Sequence, residues 1–380
     1  MRPFRVGLAV VAIVFVTTWE RPATTLSAQS DGVVSADFVA LSRDGRMAAT
    51  VRMALRGSQT VHVVMVHEMT NGTAVQQMTA LGNVIVGLQI SADGKHVLVI
   101  DATFPDTDGL ETAQIFNTAT GQEEAKWEHH NRTGHWCQFT SDGRSAVVAG
   151  MDSTLILWDL DRRKQTRAFR GFNASINAVS LSDDDMYVIA GGDDETARVW
   201  KTQSGELVQT FAVKKGRVLS VSVSRDGRFA LTGSENLTLS VWRLPSGERL
   251  PDLETPSAVW SAALSPDNAF LAVGAARTLS LISMKDGVKK WTKTTESRVT
   301  DVAFSEDSKF LTSRDRWPRL YDTEAGQSRS PAQGARFWAV QFARFNPLML
   351  YSWERGEFLL DLTTNKRVMA LSTLKGSAAK

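Results

Sequence analysis

Cysteine is nearly absent from this chain of 380 residues, with Cys137 as its single copy. One cysteine excludes an intramolecular disulfide and any zinc or iron–sulfur site built from clustered thiolates. Cys137 lies in the segment WCQF, where we expect a small buried residue on a strand rather than a nucleophile. The stability of the fold must therefore come from packing and hydrogen bonds.

An excess of charge is also missing, because 43 basic residues balance 41 acidic ones and the formal net charge is +2. No basic surface for nucleic acid is indicated, and no acidic excess suggests a store for cations. Hydrophobic residues make up 43% of the chain, which is typical of a globular protein with an ample core. Eleven tryptophans against three tyrosines are an unusual ratio, and the repeats described below account for several of those tryptophans.

The apolar run near the N-terminus is short. Val6–Val16 follows Arg2 and Arg5, and its eleven residues are too few for a comfortable membrane span but fit the apolar core of a secretory signal. Ala28 is a plausible last residue before cleavage. We therefore predict a signal peptide over residues 1–28 and an exported protein, periplasmic or secreted. An uncleaved N-terminal anchor is the alternative, and no other membrane insertion is expected.

A repeated unit organises the rest of the chain, and Ile176–Glu206 shows it best. Three short apolar runs, Ile176–Leu181, Met186–Ala190 and Ala197–Trp200, are separated by polar turns. Each run is too short for a globular helix and is rich in β-branched and aromatic residues, so each predicts a strand. A fourth strand is expected in LVQTFAV, which follows the next turn. Four antiparallel strands in about 42 residues are typical of one blade of a β-propeller.

The turn after the first strand of each unit carries a serine or threonine and recurs along the whole chain. Its first residue occurs at intervals of 49, 49, 42, 42, 41, 40 and 38 residues, at Ser42, Ser91, Thr140, Ser182, Ser224, Ser265, Ser305 and the degenerate Ala343. Serine and aspartate side chains bond nearby backbone N–H groups, and glycine accepts positive φ, so a Ser-x-Asp-Gly segment reverses the chain readily. The period predicts an all-β fold, one β-propeller domain over residues 29–380 with eight four-stranded blades, and seven blades as the alternative.

The third strand of each unit ends in a large residue that we expect to be buried between blades. Trp158, Trp200 and Trp242 hold this position in the middle units, and Gly or Asn follows five residues later in every unit but the third, which has Arg163. Polar insertions at Val51–Gln59 and Thr103–Thr112 lengthen the first two units. We expect these insertions to form loops at one rim of the ring.

The third, fourth and fifth units resemble WD-repeat propellers. The segment LILWDL contains the Trp158-Asp159 pair, and Asp152 and Asp194 lie six residues before a tryptophan, at the position where that family has an aspartate in a turn. The family's Gly-His pair is replaced by Gly171-Phe172. The resemblance therefore implies a divergent member, here of an exported bacterial type, that lacks the family's buried His–Ser–Asp–Trp network and is held more by packing.

A second resemblance gives an alternative. Eight blades and export are similar to periplasmic quinoprotein-type propellers and the outer-membrane assembly propeller, whose blades often have a Gly followed by a Trp. Only Asp286–Trp291 and Thr120–Trp127 show that pattern here. This reading would place a small molecule in the central funnel.

Motifs for catalysis and metal binding are missing. No G-x-S-x-G, H-E-x-x-H or P-loop segment occurs. The histidines of HHNRTGH, at 129, 130 and 135, lie in a predicted loop without a carboxylate partner, so we expect a solvated loop rather than a metal site. The adjacent Asp193 and Asp194 fit a turn better than an acid–base pair. We predict no enzyme activity, no metal and no cofactor.

What remains is a surface near the mouth of the central channel where aromatic and basic side chains alternate, as in the contact centres of protein interfaces. The candidate partner-binding residues are His135, Trp136, Phe172, Lys214, Lys215, Trp260, Arg298, Arg336 and Trp338. Trp260 and Trp338 have an alternative role as gap fillers between blades. The sequence predicts a monomeric scaffold that binds a protein or peptide on one face and does not bind nucleic acid.

Overall fold

The structure is a computed structural model. It describes residues 38–42, 45–56, 59–80, 84–102, 111–130, 136–149, 153–213, 216–251, 253–315, 318–328, 339–342, 348–353, 356–361 and 366–371. In these ranges the regular structure consists of strands joined by turns, without a helix. The strands form eight antiparallel sheets, each built from consecutive strands of the chain, so the predicted all-β propeller is confirmed.

The first four blades each have four strands. They comprise β1 (Phe38–Leu41), β2 (Met47–Arg56), β3 (Gln59–Glu68) and β4 (Thr73–Ala80); β5 (Val84–Ile90), β6 (His96–Ala102), β7 (Glu111–Asn117) and β8 (Glu123–His130); β9 (Trp136–Phe139), β10 (Ser145–Ala149), β11 (Leu155–Asp159) and β12 (Lys164–Phe169); and β13 (Ile176–Leu181), β14 (Tyr187–Gly192), β15 (Thr196–Lys201) and β16 (Leu207–Ala212).

The last four blades follow the same order. They comprise β17 (Val218–Val223), β18 (Phe229–Ser234), β19 (Thr238–Arg243) and β20 (Leu253–Glu254); β21 (Val259–Leu264), β22 (Phe270–Ala275), β23 (Thr278–Ser283) and β24 (Lys289–Thr294); β25 (Asp301–Phe304), β26 (Phe310–Arg314) and β27 (Pro318–Asp322); and β28 (Ala339–Phe342), β29 (Leu348–Trp353), β30 (Gly356–Asp361) and β31 (Lys366–Ala370). The seventh blade has three described strands, and Ser328 pairs with Tyr321 where a fourth would begin.

The first strands of successive blades contact one another from β1 to β25, so they lie innermost and surround the central channel. Strand β1 also contacts β28 and β29 of the eighth blade, which closes the ring. Because each blade is an up-and-down meander, the loops between blades and the turns between second and third strands share one face. We call this the loop face. The Ser-headed turns lie on the opposite face, the turn face.

Two expectations about loops are wrong. Val51–Gln59 is not a polar loop, because β2 runs on to Arg56 and pairs it with Gln59, which extends the hairpin of the first blade. His129 and His130 end strand β8 and are not part of a loop. In both places a polar sequence continues a ladder of backbone hydrogen bonds, which tolerates polar side chains where a strand leaves the core.

The Ser-headed turns repeat one hydrogen-bond arrangement. In the fourth blade the Tyr187 N–H donates to the Ser182 hydroxyl oxygen at 2.9 Å, and that hydroxyl donates to Asp184 at 2.6 Å. The Asp184 carboxylate then accepts the N–H of Met186 at 2.9 Å. The same serine- or threonine-to-aspartate bond, 2.5–2.8 Å long, occurs in Ser91–Asp93, Thr140–Asp142, Ser224–Asp226, Ser265–Asp267 and Ser305–Asp307.

The fourth residue of each described turn has a left-handed backbone, and in the second to seventh blades it faces the preceding blade. It is Gly45 (φ 70°), Gly94 (71°), Gly143 (68°), Asp185 (56°), Gly227 (66°), Asn268 (57°) or Ser308 (59°). Where it is glycine, a Cβ would meet the preceding blade, as at Gly94, 2.6 Å from the Met47 side chain. Where it is polar, the side chain bonds to that blade, as Asn268 does to Asp226 at 2.9 Å.

In the fourth, fifth and seventh blades the large residue at the end of the third strand packs against the preceding blade, as predicted. Trp200 lies 5.7 Å from the ring of Phe169, Trp242 stacks on Phe211 at 4.3 Å, and Tyr321 lies 5.9 Å from Trp291. The partner in each pair comes from the fourth strand of the preceding blade. Burying one such side chain contributes roughly 1.5–3 kcal/mol to folding. The core of the ring is thus a series of contacts between blades.

One part of the family's polar network is present. The indole N–H of Trp242 donates to the Thr232 hydroxyl at 3.0 Å, and His67, fully buried in the first blade, pairs with Thr50 at 3.2 Å in the corresponding geometry. The Arg163 position keeps the turn as well, since its φ of 51° matches the left-handed glycines at the same place in other blades. At these positions the structure thus keeps the family's hydrogen bond and turn, although the sequence departs from the family pattern.

Side chains also connect the inner strands. The amide oxygen of Gln138 in the third blade accepts the N–H of Leu181 in the fourth at 3.2 Å, and the Ser180 hydroxyl accepts the N–H of Val223 in the fifth at 3.2 Å. These backbone donors lie on the open edge of an innermost strand, where no neighbouring strand can accept their hydrogen bonds. Satisfying them fixes adjacent blades at the channel wall.

Candidate functional site

Five of the nine candidate residues lie outside the described residues: His135, Lys214, Lys215, Arg336 and Trp338. Trp136 begins the inner strand β9, but its side chain is not among those described. The structure therefore describes the side chains of Phe172, Trp260 and Arg298. All three belong to the loop face.

Trp260 and Arg298 form a stacked pair between the sixth and seventh blades. Trp260 is the second residue of β21 and is partly buried, whereas Arg298 lies in the exposed loop before β25. The guanidinium carbon of Arg298 is 3.9 Å from the centroid of the Trp260 ring. Such cation–π contact contributes about 0.5–1 kcal/mol at an exposed position and holds the arginine in place. These two predicted residues are thus brought together.

The loop that carries Arg298 is fixed to the turn between β22 and β23. The Val299 N–H donates to the carbonyl of Ala276 at 2.7 Å, and the Thr295 N–H donates to the carbonyl of Arg277 at 2.9 Å. The Arg277 side chain adds a second bond to Thr295, because its Nε donates to the Thr295 carbonyl at 3.2 Å. Arg277 was not predicted, and it places a second exposed guanidinium on this loop.

Phe172 has a different environment. Its ring lies 5.9 Å from that of Trp200, and the Arg198 guanidinium carbon is 4.5 Å from its centroid. Arg198 is itself bound to Asp194 at 2.8 Å. A Cβ on Gly192 would lie 3.2 Å from the Phe172 ring, so the glycine makes room for it. Phe172 occupies the place of the family's histidine and covers the core of the fourth blade.

A second group of polar residues on the loop face lies between the fourth and fifth blades. Asn177 donates to Asp193 at 2.7 Å and to the carbonyl of Val218 in the next blade at 3.0 Å. The Arg217 guanidinium binds Glu235 and lies 3.9 Å from Asp193. The hydrogen bond to Glu235 is the main cause that raises the pKa of Arg217. Asp193 thus takes part in linking two blades.

Asp301 is the unusual acid of this region. It begins the inner strand β25, opposite Arg314 in the ladder. Burial raises the pKa of its carboxyl to about 6, although the charge of Arg314 and a hydrogen bond from the Val302 N–H act in the opposite direction. No sequence motif indicates this position, because its burial depends on the neighbouring blades.

The turn face carries an ion bridge between blades. Arg225, in the fifth blade, binds Asp183 in the fourth at 3.2 Å and also binds Glu306 in the seventh. These three residues each follow the first residue of a Ser-headed turn. Because Arg225 reaches past the sixth blade, its side chain lies across part of this end of the ring.

Within the described residues, no group of three His, Cys, Asp or Glu side chains is arranged to hold a metal ion. The same ranges include no helix of sufficient length and apolarity to span a membrane. What the described loop face does present is an aromatic ring in contact with an arginine side chain, in the Trp260–Arg298 pair.

Comparison with known proteins supports the repeat assignment. The family model of the WD domain, G-beta repeat, matches residues 121–159, 163–201 and 205–243. Each match begins just before the fourth strand of one blade and ends with the third strand of the next. No curated protein matches the chain. Residues 121–243 thus contain three consecutive WD40 repeats, and they lie in a β-propeller of antiparallel blades.

Proposed function

We propose that this propeller is a non-catalytic scaffold that binds a protein or peptide partner on its loop face. WD40 repeats generally mediate protein–protein interaction. The observation that carries the choice of face is the Trp260–Arg298 pair, an exposed arginine on a partly buried aromatic ring. Tryptophan and arginine are the residues that most often dominate binding energy in protein interfaces. On the turn face, by contrast, Arg225 is engaged with Asp183 and Glu306.

A comparison of captured proteins tests this function. The full chain is immobilised as wild type, as a Trp260→Ala, Lys215→Ala, Trp338→Ala variant, and as a turn-face control with Arg162→Ala, Lys201→Ala and Lys285→Ala. Proteins recovered from a cell-envelope extract are then quantified by mass spectrometry. We expect a partner that the wild type and the control retain and the loop-face variant loses. Equal recovery by all three folded proteins would remove the loop face from consideration.

The same purified protein tests the alternative function, in which a small molecule is bound in the central funnel. A bound quinone or metal would give the purified protein an absorbance band that protein alone lacks. We expect none, and we expect light scattering to give the mass of a monomer.

We also propose that the chain is exported. The support is the arrangement of Arg2 and Arg5 before the apolar run Val6–Val16 and the cleavable segment ending at Ala28. Mass spectrometry of the mature N-terminus is the test, with Gln29 as the expected first residue. An intact N-terminus on a membrane-bound protein would instead show that the run stays as an anchor.

A further inference from the structure

The arginines of the loop face differ in whether a carboxylate neutralises them. Arg217 binds Glu235, Arg198 binds Asp194 at 2.8 Å, and Arg319 binds Glu296. Arg298 makes no ion pair within the described part of the chain, and its contact there is the Trp260 ring. In the described part of the loop face, Arg298 is therefore a fixed cation whose charge the neighbouring residues leave available.

The acids closest to Arg298 in sequence are already engaged. Glu296 accepts a hydrogen bond from Arg319 at 2.6 Å, and its backbone N–H donates to Asp315. Asp301 is within electrostatic reach of Arg314. Arg298 is held by its contact with the Trp260 ring and not by either carboxylate. The position of Arg298 is thus constrained, while no carboxylate among the described residues neutralises its charge.

Arg298 is exposed, and its contacts within the described residues include no hydrogen-bond acceptor, so the N–H donors of its guanidinium are available. The five N–H donors of a guanidinium lie in the plane of a rigid fork. That fork matches the two oxygens of a carboxylate. Arg277, fixed to the same loop through Thr295, adds a second exposed guanidinium with no ion pair within the described ranges.

We infer that the Trp260–Arg298 pair, with Arg277 beside it in the fold, binds a carboxylate of an acidic peptide segment in the partner. This inference rests on the proposed function and specifies the chemistry of the partner. The ring of Trp260 favours a peptide over a free anion, because it adds apolar contact area next to the charged contact. Nucleic acid is disfavoured, since two exposed arginines in a chain of net charge +2 give no row of phosphate contacts.

A library of short random peptides displayed on phage, selected on the immobilised full chain, is the probe. We expect the selected pool to be enriched in Asp and Glu relative to the starting library. Selection on Arg298→Gln should lose that enrichment, whereas selection on Arg228→Gln, an exposed arginine of the turn face, should keep it. Arg298→Lys should restore part of it, since lysine keeps the charge but not the fork.

A selected peptide is then synthesised in its original form, with each acidic residue replaced by its amide, and with an amidated C-terminus. We expect at least about tenfold weaker binding for one of the neutral forms, which identifies a side-chain or a terminal carboxylate as the ligand group. Peptides that bind Arg298→Gln as tightly as wild type would overturn this inference and leave the proposed function standing. Failure to select any peptide, together with no captured protein, would overturn both.

Discussion

The carboxylate of Asp185 in the fourth blade accepts two hydrogen bonds from Ser141 in the third, one from its backbone N–H at 2.8 Å and one from its hydroxyl at 2.6 Å. Asp185 stands where four other turns have glycine, with φ of 56°. The turn thus uses a residue that is less favourable in this conformation and gains a bond to the neighbouring blade. Ser308 shows the weaker version, accepting the N–H of Asp267 at 3.3 Å.

This contrast gives the first prediction. Asp185→Gly relieves the backbone but removes bonds to a charged group, so we expect it to lower the free energy of unfolding by about 2 kcal/mol. Ser308→Gly loses one long bond from the Asp267 N–H and a hydrogen bond to the exposed Asp267 carboxylate, and it relieves the same conformation. We expect it to change stability by less than about 0.5 kcal/mol. Urea denaturation of both variants provides the comparison, and an equal loss in the two would refute the role given to Asp185.

The second prediction concerns the Trp242–Thr232 hydrogen bond. Thr232→Val keeps the shape of the side chain and Trp242→Phe keeps an aromatic ring on Phe211. In a double-mutant cycle we expect these changes to couple by about 1 kcal/mol, because each removes one partner of a buried bond. A coupling near zero would mean that Trp242 stabilises the ring only through stacking.

Asp301 gives a prediction about pH. Its pKa in the folded state is about 6, above the ordinary value of 3.8, so the folded protein binds the proton more tightly than the unfolded chain does. The stability that this group contributes is present below about pH 4 and is lost as the pH rises through about 6. The loss is about 3 kcal/mol, since one pKa unit corresponds to about 1.4 kcal/mol.

Asp301→Asn removes this titration. We expect the variant to be more stable than wild type at about pH 8, with the advantage vanishing toward about pH 4. Thermal unfolding across this range measures it, with Asp286→Asn as the control at a fully exposed acid. A parallel pH profile for wild type and Asp301→Asn would contradict the assignment.

The ion bridge at Arg225 leads to a prediction about salt. Arg225→Gln should lower stability by about 1 kcal/mol at low ionic strength, because one side chain connects the fourth, fifth and seventh blades. The difference should shrink at about 1 M salt, where screening reaches even close pairs. Arg162→Gln is the matched control, since the Arg162 side chain is 69% exposed and its ion partner among the described residues is Asp159 of its own blade. If the stability loss of the two variants depended equally on salt, the bridge at Arg225 would contribute no more to stability than an ordinary surface ion pair.

Much of the fold could be predicted because every blade contains the same kind of turn after its inner strand. That turn needs a serine, an aspartate and a residue with a left-handed backbone, and all three occur in Ser182–Asp185. The position of Trp200 followed from its size. Contacts between units could not be predicted, because the partner of Asp185 lies 44 residues away and no local rule selects it.

The site could be predicted only in part, because it too depends on contacts between blades. Trp260 and Arg298 were identified by residue type, but their stacking depends on how the seventh blade packs against the sixth. Arg277 was missed because it lies in a turn that only folding brings against Thr295, in the loop that carries Arg298. Phe172 has the residue type of a binding aromatic, yet it is packed against Trp200 and Arg198.

Among the described strands every blade is made of consecutive segments, so β1 meets β28 and β29 of the eighth blade across two separate sheets. The described contacts that close the ring are therefore contacts between sheets and not a shared ladder of strands. Hydrogen exchange should be fastest at this seam between the first and eighth blades, and linking the two ends covalently should slow the opening of the whole circle.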